Sequence, residues 1–360
     1  MSRRPSSAAV STSAGTGPLH RPATLADIAR EARVAAMTVS RAINRSGYVS
    51  EQVRTRVLKA AERLQYRPNM LARQLKGQRL NAVGVMMPDI ANPYASELVT
   101  GIKKVLDAAG YAVFLCVSDR LVEQETAGLQ AFVDHRVDGL IVATRGTNIG
   151  DRVIERLVQQ GMPIVTVGRP MHKLNVDVVS ANHFQGAFDL VTHLIRQGHR
   201  RIGFIGIAPR DAHMLRRYEG YAAALAKAKL KLHEEYTAGP ANGPAFSTQQ
   251  DGYEGMMRLA QLRRRPTAVF ARNDFTAMGA LRAAHELGLR VPEDVAIAGF
   301  DDIPLAAYAA PPLTTVSQPI CEQGELAAQI LLSRIEGHSK GGFALHMMPC
   351  RLVVRESTGG

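Results

Sequence analysis

Two hydrophobic rhythms run along the chain. Over residues 24–65, apolar positions recur three and four apart, the spacing that puts one buried face on a short helix. Leu25, Ile28, Ala29 and Ala32 make one such face, Val39, Ala42 and Ile43 a second, and Val53, Val57, Leu58, Ala61 and Leu64 a third. Thr24 with Asp27 three residues on is a capping-box pair, whose hydroxyl and carboxylate satisfy the free N–H groups of a helix start. The spacing predicts a helix opening after Thr24, a second from about Ala36 to Asn44, and a third from a Ser50 cap to about Gln65, with Arg33 and Val34 as the first turn. From Asn81 onward the rhythm changes to short apolar runs: Val83–Met87, Val113–Val117, Gly139–Ala143, Ile164–Val167, Ile202–Ile205, Ala268–Phe270 and Val295–Gly299, with helical stretches between them. Alternating β and α predicts parallel sheets covered by helices on both faces. About 280 residues is generous for one such sheet. Two doubly wound α/β lobes are therefore expected, with a ligand in the cleft at the carboxyl ends of their strands.

Three small helices with a short turn between the first two match a helix-turn-helix, whose second helix enters the major groove. That helix leaves Ala36, Met37, Thr38, Ser40, Arg41 and Asn44 outside its apolar face. Arg41 can reach a guanine with two parallel bonds and Met37 can touch a thymine methyl, while Thr38, Ser40 and Asn44 suit phosphates. Thr24 stands at the end of the first helix that faces the same partner. A three-helix packing module with solvated polar faces has the same pattern. After Tyr66-Arg67-Pro68, the run from Asn69 to Lys76 spans about two helical turns, too few to be stable alone in water. It reads as a hinge helix that forms on binding, with Leu75 as a wedge for the minor groove and Ala72 small enough for two such helices to touch. It also reads as a plain linker whose leucine packs on the body.

Charge bears on that choice. Residues 1–77 carry 14 Lys/Arg against 4 Asp/Glu, so +10 of the chain's formal +12 sits there. A basic head on a near-neutral body points to a polyanion such as double-stranded DNA. The expected organisation is a flexible tail over 1–22, the helix-turn-helix domain over 23–67, a hinge helix and linker over 68–80, and a two-lobed effector-binding and dimerisation domain over 81–360. The first 22 residues lack the continuous apolar stretch of a secretory signal, and no apolar run is long enough to span a bilayer, so a cytoplasmic location is expected. Cys116, Cys321 and Cys350 are isolated, so no disulfide framework or zinc site is expected; Cys116 and Cys350, in apolar runs, read as buried. No catalytic residue, metal ligand or cofactor is expected: the chain lacks G-x-x-x-x-G-K-[ST], H-E-x-x-H and G-x-S-x-G, and its histidines show no metal-ligand spacing.

In the body, polar residues just after strands are the pocket candidates. Asn273 follows one run, Asp301 another, and Arg217 lies on the helix after Ile202–Ile207. Tyr94 follows the first strand, and Arg145 and Arg169 follow two others. Several arginines at strand ends suit an anionic effector; solvated or salt-bridged arginines are the alternative. Asp301 could instead cap the next helix, and Arg217 could pair with Glu219 or Asp211.

The strings TLADIA, MTVSRAIN, YRPNMLARQLKG and VGVMMPDIANPY resemble the lactose-repressor/galactose-repressor (LacI/GalR) family of bacterial transcription regulators. The likeness continues through GHRRIGFIG, PTAVFARND, AMGALRAAHELGLRVPEDVAIAGFDD and PPLTTVSQP, and covers about residues 24–357. It implies a body like the periplasmic sugar-binding proteins, a homodimer on a palindromic operator, and control by a small-molecule effector, a sugar or sugar acid. It also implies that Arg217, Asn273 and Asp301 bind effector hydroxyls. Two departures stand out. Arg33 occupies a turn position where the family has glycine or asparagine, and Ala35 and Ala36 stand where the recognition helix opens with serine. The rival readings are a sugar-binding transport component built on the same body, against which the basic head speaks, and an enzyme.

Overall fold

The computed structural model describes residues 23–44, 46–66, 79–119, 121–143, 148–168, 174–206, 212–239, 248–339 and 341–359. Asn69, Ala72, Leu75, Arg145 and Arg169 lie outside them, as does the side chain of Asn44. The chain divides into two compact units, 1–78 and 79–360.

In the first unit, α1 (Leu25–Ala32), α2 (Ala36–Asn44) and α3 (Glu51–Arg63) enclose Ile28, Ala32, Val39, Ala42, Val57 and Ala60. The capping box is formed: the Asp27 N–H donates to Thr24 Oγ1 at 3.3 Å and the Thr24 N–H to Asp27 Oδ2 at 2.9 Å. The third helix departs from expectation. It stops at Arg63, and Ser50 flanks its start without a side-chain cap bond. Leu58 is 49% exposed while Ala60 is buried, because the inward stripe runs through Val57 and Ala60.

Arg33 sits at φ 50°, ψ 51°, the left-handed region that costs a residue with a Cβ about 1 kcal/mol. Ala35 receives the Thr38 and Val39 N–H groups on its carbonyl but brings no side-chain acceptor to the start of α2; a serine there is worth about 1 kcal/mol. Arg33→Gly and Ala35→Ser are each expected to slow global-opening amide exchange in α1–α3 of the full chain about fivefold, the equivalent of about 1 kcal/mol. Unchanged exchange would contradict this reading of the turn.

The second unit holds two lobes. In lobe 1, β1 (Ala82–Met87), β2 (Ala112–Val117), β3 (Gly139–Val142), β4 (Ile164–Val167), β5 (Asp177–Ala181) and the late β11 (Leu345–Met348) form a parallel sheet in the order β11-β5-β4-β3-β1-β2. Helix α4 (Pro93–Ala108) lies on one face, and α5 (Val122–Asp134) and α6 (Asn148–Gln159) cover the other. In lobe 2, β6 (Ile202–Ile205), β7 (Thr237–Ala238), β8 (Ala268–Ala271) and β9 (Ala296–Ala298) form a second parallel sheet, in the order β7-β6-β8-β9. It is covered by α7 (His183–Arg196) and α8 (Ala212–Lys227) on one side and by α9 (Gln249–Ala260) and α10 (Asp274–Glu286) on the other. Near-continuous Val, Ile, Leu and Ala in the central strands follows from burial on both faces.

The chain crosses between lobes three times. It passes from β5 into α7 at Ala181–Asn182, then from β10 (Thr315–Ser317) into α11 (Ile320–Glu336), which packs beside α4. It returns after β11 into β12 (Arg351–Val353), which pairs antiparallel with β10. Cys116 and Cys350 are half-buried rather than buried, because β2 is an edge strand and Cys350 lies on the last crossing. Two glycines let α9 and α10 touch backbone to backbone: a Cβ on Gly279 would stand 1.7 Å from the Gln249 carbonyl oxygen, and one on Gly252 1.8 Å from that of Thr276. That contact fixes the start of α10, where Asn273 sits. Among the described residues no helix is long and apolar enough to cross a membrane.

Candidate nucleic-acid interface and effector site

On the head, Ala36, Met37 and Arg41 are exposed, Met37 at 64%, and Thr38 and Ser40 are half-buried along one side of α2. Val39 and Ala42 face the core. The helix thus offers an arginine, a methionine and hydroxyls on the side away from the core, in the positions read from the sequence.

In the body, the carboxyl ends of the lobe 2 strands gather a buried polar knot. Arg217, on α8, is 4% exposed. Its Nη2 donates to Asp301 Oδ1 at 2.9 Å, its Nη1 to the Arg272 carbonyl, and its Nε to His183 Nδ1 at 3.4 Å; its guanidinium lies 3.8 Å from the centre of the Phe300 ring. A guanidinium can only donate, so His183 must present an unprotonated Nδ1 to it. Arg217 therefore pairs with Asp301, and it is Arg216 that pairs with Glu219.

Asp301 caps no helix. Its Oδ1 also accepts from Gln318 Nε2 at 2.6 Å. Because a carboxylate only accepts, this bond fixes the Gln318 amide, and Gln318 Oε1 is left without a hydrogen-bond partner. Asp301 itself sits at φ 112° and Asp302 at φ 58°. Non-glycine residues in such conformations cost of order 1–3 kcal/mol and concentrate at ligand sites. Asn273 is the N-cap of α10: its Oδ1 accepts from the Thr276 N–H at 2.9 Å and the Thr276 hydroxyl at 2.8 Å. Its carbonyl oxygen is engaged in the fold.

Tyr94 comes from lobe 1, in the first turn of α4. Burial pushes its hydroxyl pKa up, the Asp301 carboxylate pushes it further, and Arg217 opposes both, so Tyr94 of lobe 1 lies within electrostatic reach of the Arg217–Asp301 pair of lobe 2. Glu97, one turn on, is also raised, by burial and then by Asp302 and Asp301. The structure brings together Tyr94, Arg217, Asn273 and Asp301. It adds His183, Gln318 and Phe300, which have no signature of their own in the sequence.

Asp274 lies beneath the knot, fully buried, accepting from Thr315 Oγ1 at 2.6 Å and the Ile303 N–H at 2.9 Å. Burial, then the neighbouring Asp301, hold its pKa well above the ordinary 3.8. The folded chain thus keeps this proton at pH values where the unfolded chain has lost it. Unfolding releases the proton across that window, so this residue's contribution falls as pH rises from about 4 through the raised value. Asp274→Asn is expected to remove that fall, seen as a flatter urea midpoint against pH; an unchanged profile would contradict it.

Comparison with known proteins fits this geometry. Residues 24–69 match the profile described as bacterial regulatory proteins, lacI family, and residues 191–358 match that of the periplasmic binding protein-like domain. The chain is 35% identical to the ribose operon repressor of Halalkalibacterium halodurans over 343 residues, covering 94% of this chain and 97% of that one. The chain belongs to the LacI family. Among solved structures, the lac repressor dimer bound to operator and the anti-inducer ONPF superposes with a TM-score of 0.83 at 27% identity, covering 94% and 99% of the two chains. A LacI family transcriptional regulator from Enterococcus faecium with bound ribose gives 0.68 at 31% identity, covering 77% and 98%. Membership makes this LacI-family chain a DNA-binding regulator of the repressor type with an effector-binding body, and not an enzyme.

Proposed function

We propose that this chain is a homodimeric repressor that grips a palindromic operator and is controlled by a small polyhydroxylated effector, a sugar or sugar acid. The observation that carries the effector half is the Arg217–Asp301–Gln318 knot at the strand ends of lobe 2, with Tyr94 of lobe 1 within its electrostatic reach. A buried carboxylate beside an acceptor without a partner suits a ligand rich in hydroxyl donors. Tyr94, Arg217, Asn273 and Asp301 are assigned to effector binding, and Arg145 and Arg169, which follow β3 and β4 in sequence, to any anionic group it carries.

On the DNA side, Ala36, Met37, Thr38, Ser40, Arg41 and Asn44 are assigned to the major groove and its phosphates, with Thr24 at the start of α1. Residues 68–80 are assigned as the hinge, in which Asn69, Ala72 and Leu75 meet the minor groove when two chains stand on one operator. The effector acts by binding one arrangement of the lobes more tightly than the other, and so shifts the population in which the paired hinges form.

Calorimetric titration with ribose, cellobiose and gluconate tests the effector site. The expected result is binding by at least one of them that falls at least tenfold in Asp301→Asn, a loss of about 1.4 kcal/mol or more. Binding that is equally tight in the variant would overturn the assignment of Asp301.

A further inference from the structure

The strands of lobe 2 have a second end, opposite the effector knot and separated from it by the length of a four-residue strand, about 13 Å. Here Arg196 ends α7 and Arg200 lies in the loop before β6, Lys229 and Lys231 lie in the loop before the short helical turn that leads to β7, and Arg263 and Arg264 in the loop before β8; all six are exposed. Hydrogen bonds to backbone carbonyls join these loops into one surface. The Arg201 carbonyl accepts from the Thr267 N–H at 2.8 Å, Arg201 Nε donates to the Arg265 carbonyl at 2.9 Å, and the Tyr236 hydroxyl donates to the Arg264 carbonyl at 2.8 Å.

None of the six cations forms an ion pair among the described residues. Arg200 reaches the carbonyls of Ile195 and His199 instead. The acidic side chains of this end are Glu234, Glu235, Glu293 and Asp294, and Asp294 is held by Arg290 at 3.0 Å. Elsewhere in the body several cations are paired, Lys104 with Glu325, Arg282 with Glu286, Arg334 with Asp177 and Arg355 with Asp302, while exposed arginines such as Arg136, Arg156 and Arg351 are scattered singly. A body close to neutral that leaves this many cations unmatched on one end is strongly polarised toward a polyanion.

We propose that the amino-terminal edge of lobe 2 is a second, sequence-independent contact for duplex DNA, additional to the helix-turn-helix unit. Long flexible cations without ion-pair partners suit phosphates, which need charge and little geometry. Leu232 and Leu287 are the large exposed hydrophobics in the loops of this end, too little apolar surface for the core of a protein interface. Among the described residues no exposed aromatic ring lies there to stack unpaired bases, which favours a duplex over a single strand. The surface lets a molecule whose head holds one duplex capture another.

The test uses the full chain and two short random-sequence duplexes carrying different fluorophores. Wild type is expected to co-capture both duplexes, with steep salt dependence. The triple variant Lys229→Ala, Arg263→Ala, Arg264→Ala truncates exposed side chains and leaves the backbone bond at Arg264 intact. It is expected to lose co-capture about tenfold or more, and to flatten the log–log salt slope of second-duplex capture by about 0.9 per side chain removed. Its affinity for a single duplex should stay within about twofold, because the head is untouched, and an unchanged thermal melt shows that it is folded. Equal co-capture by variant and wild type would overturn the proposal. So would capture of polyglutamate as tight as that of DNA, which would make the partner an acidic protein.

Discussion

Phe114→Arg combined with Leu115→Arg should leave the repressor monomeric and weaken its hold on a palindromic DNA fragment by about a hundredfold or more. β2 is the outer strand of the lobe 1 sheet, pairing with β1 on one side and with no strand of the described residues on the other. It is not blunted by charge or proline: its sequence is AVFLCV, with Phe114 39% and Leu115 45% exposed and Leu121 exposed just beyond it. A long apolar edge with open N–H and C=O groups is an association site unless something covers it. A second copy of the chain is the occupant that the operator-binding reading requires. One head of this size makes few base contacts, and two heads on one palindrome gain from the high effective concentration that the dimer imposes. Two arginines on the edge would repel across a two-fold axis and separate the copies. Sedimentation velocity reads the assembly and a gel shift reads the affinity. A variant that still sediments as a dimer would remove β2 from the interface. A monomer that binds within about threefold of wild type would remove the need for pairing.

Asp301→Ala carries the other large effect. Both members of the Arg217–Asp301 pair are almost wholly buried, and the guanidinium's remaining contacts, to the Arg272 carbonyl, His183 and the Phe300 face, supply no compensating charge. Removing one partner of such a pair costs about 3–5 kcal/mol, because the other charge stays buried. The φ of 112° at this position adds a discriminating comparison. Asp301→Gly loses the same carboxylate but relieves a backbone conformation that disfavours a Cβ, so it should be less destabilised than Asp301→Ala by about 1 kcal/mol or more. Asp301→Asn keeps an acceptor and should fall between wild type and alanine. Urea unfolding of the three variants gives the ranking. An alanine variant within about 1 kcal/mol of wild type would show that the pair contributes little to the fold. Equal glycine and alanine variants would show that the backbone there is not strained.

Seven strands could be read from the sequence because each is a run of β-branched or apolar residues; six are buried on both faces, and the edge strand β2 carries the same pattern although it is partly exposed. The strands that escaped are of another kind. β5, DVVSA, carries Asp177, which can be buried only because Arg334 reaches it at 2.8 Å from far along the chain. β7, β10 and β12 have two or three residues each, and β10 exists through its pairing with β12. Such elements are made by topology, and local periodicity cannot announce them. The same division holds at the effector site. Asn273 and Asp301 were visible because polar residues directly after buried strands mark the carboxyl ends of a sheet, Tyr94 because it follows the first strand, and Arg217, on the helix after β6, chiefly through the family resemblance. His183 and Gln318 were not, since they enter through two of the three crossings between lobes, which bring residues 183, 217, 301 and 318 together. In the head, helical spacing placed Leu58 on the inner face, yet the angle at which α3 meets its neighbours leaves it outside.

The most direct measurement of the central claim is capture of sheared genomic DNA by the purified full-length chain at physiological ionic strength, with and without a pool of cellular metabolites, followed by sequencing of what is retained. The expected result is a small set of fragments sharing a two-fold symmetric site, retained far above random DNA, lost from Arg41→Ala, and changed in occupancy by the metabolite pool. Retention of all fragments in proportion to length, indifferent to metabolites and to Arg41, would contradict it.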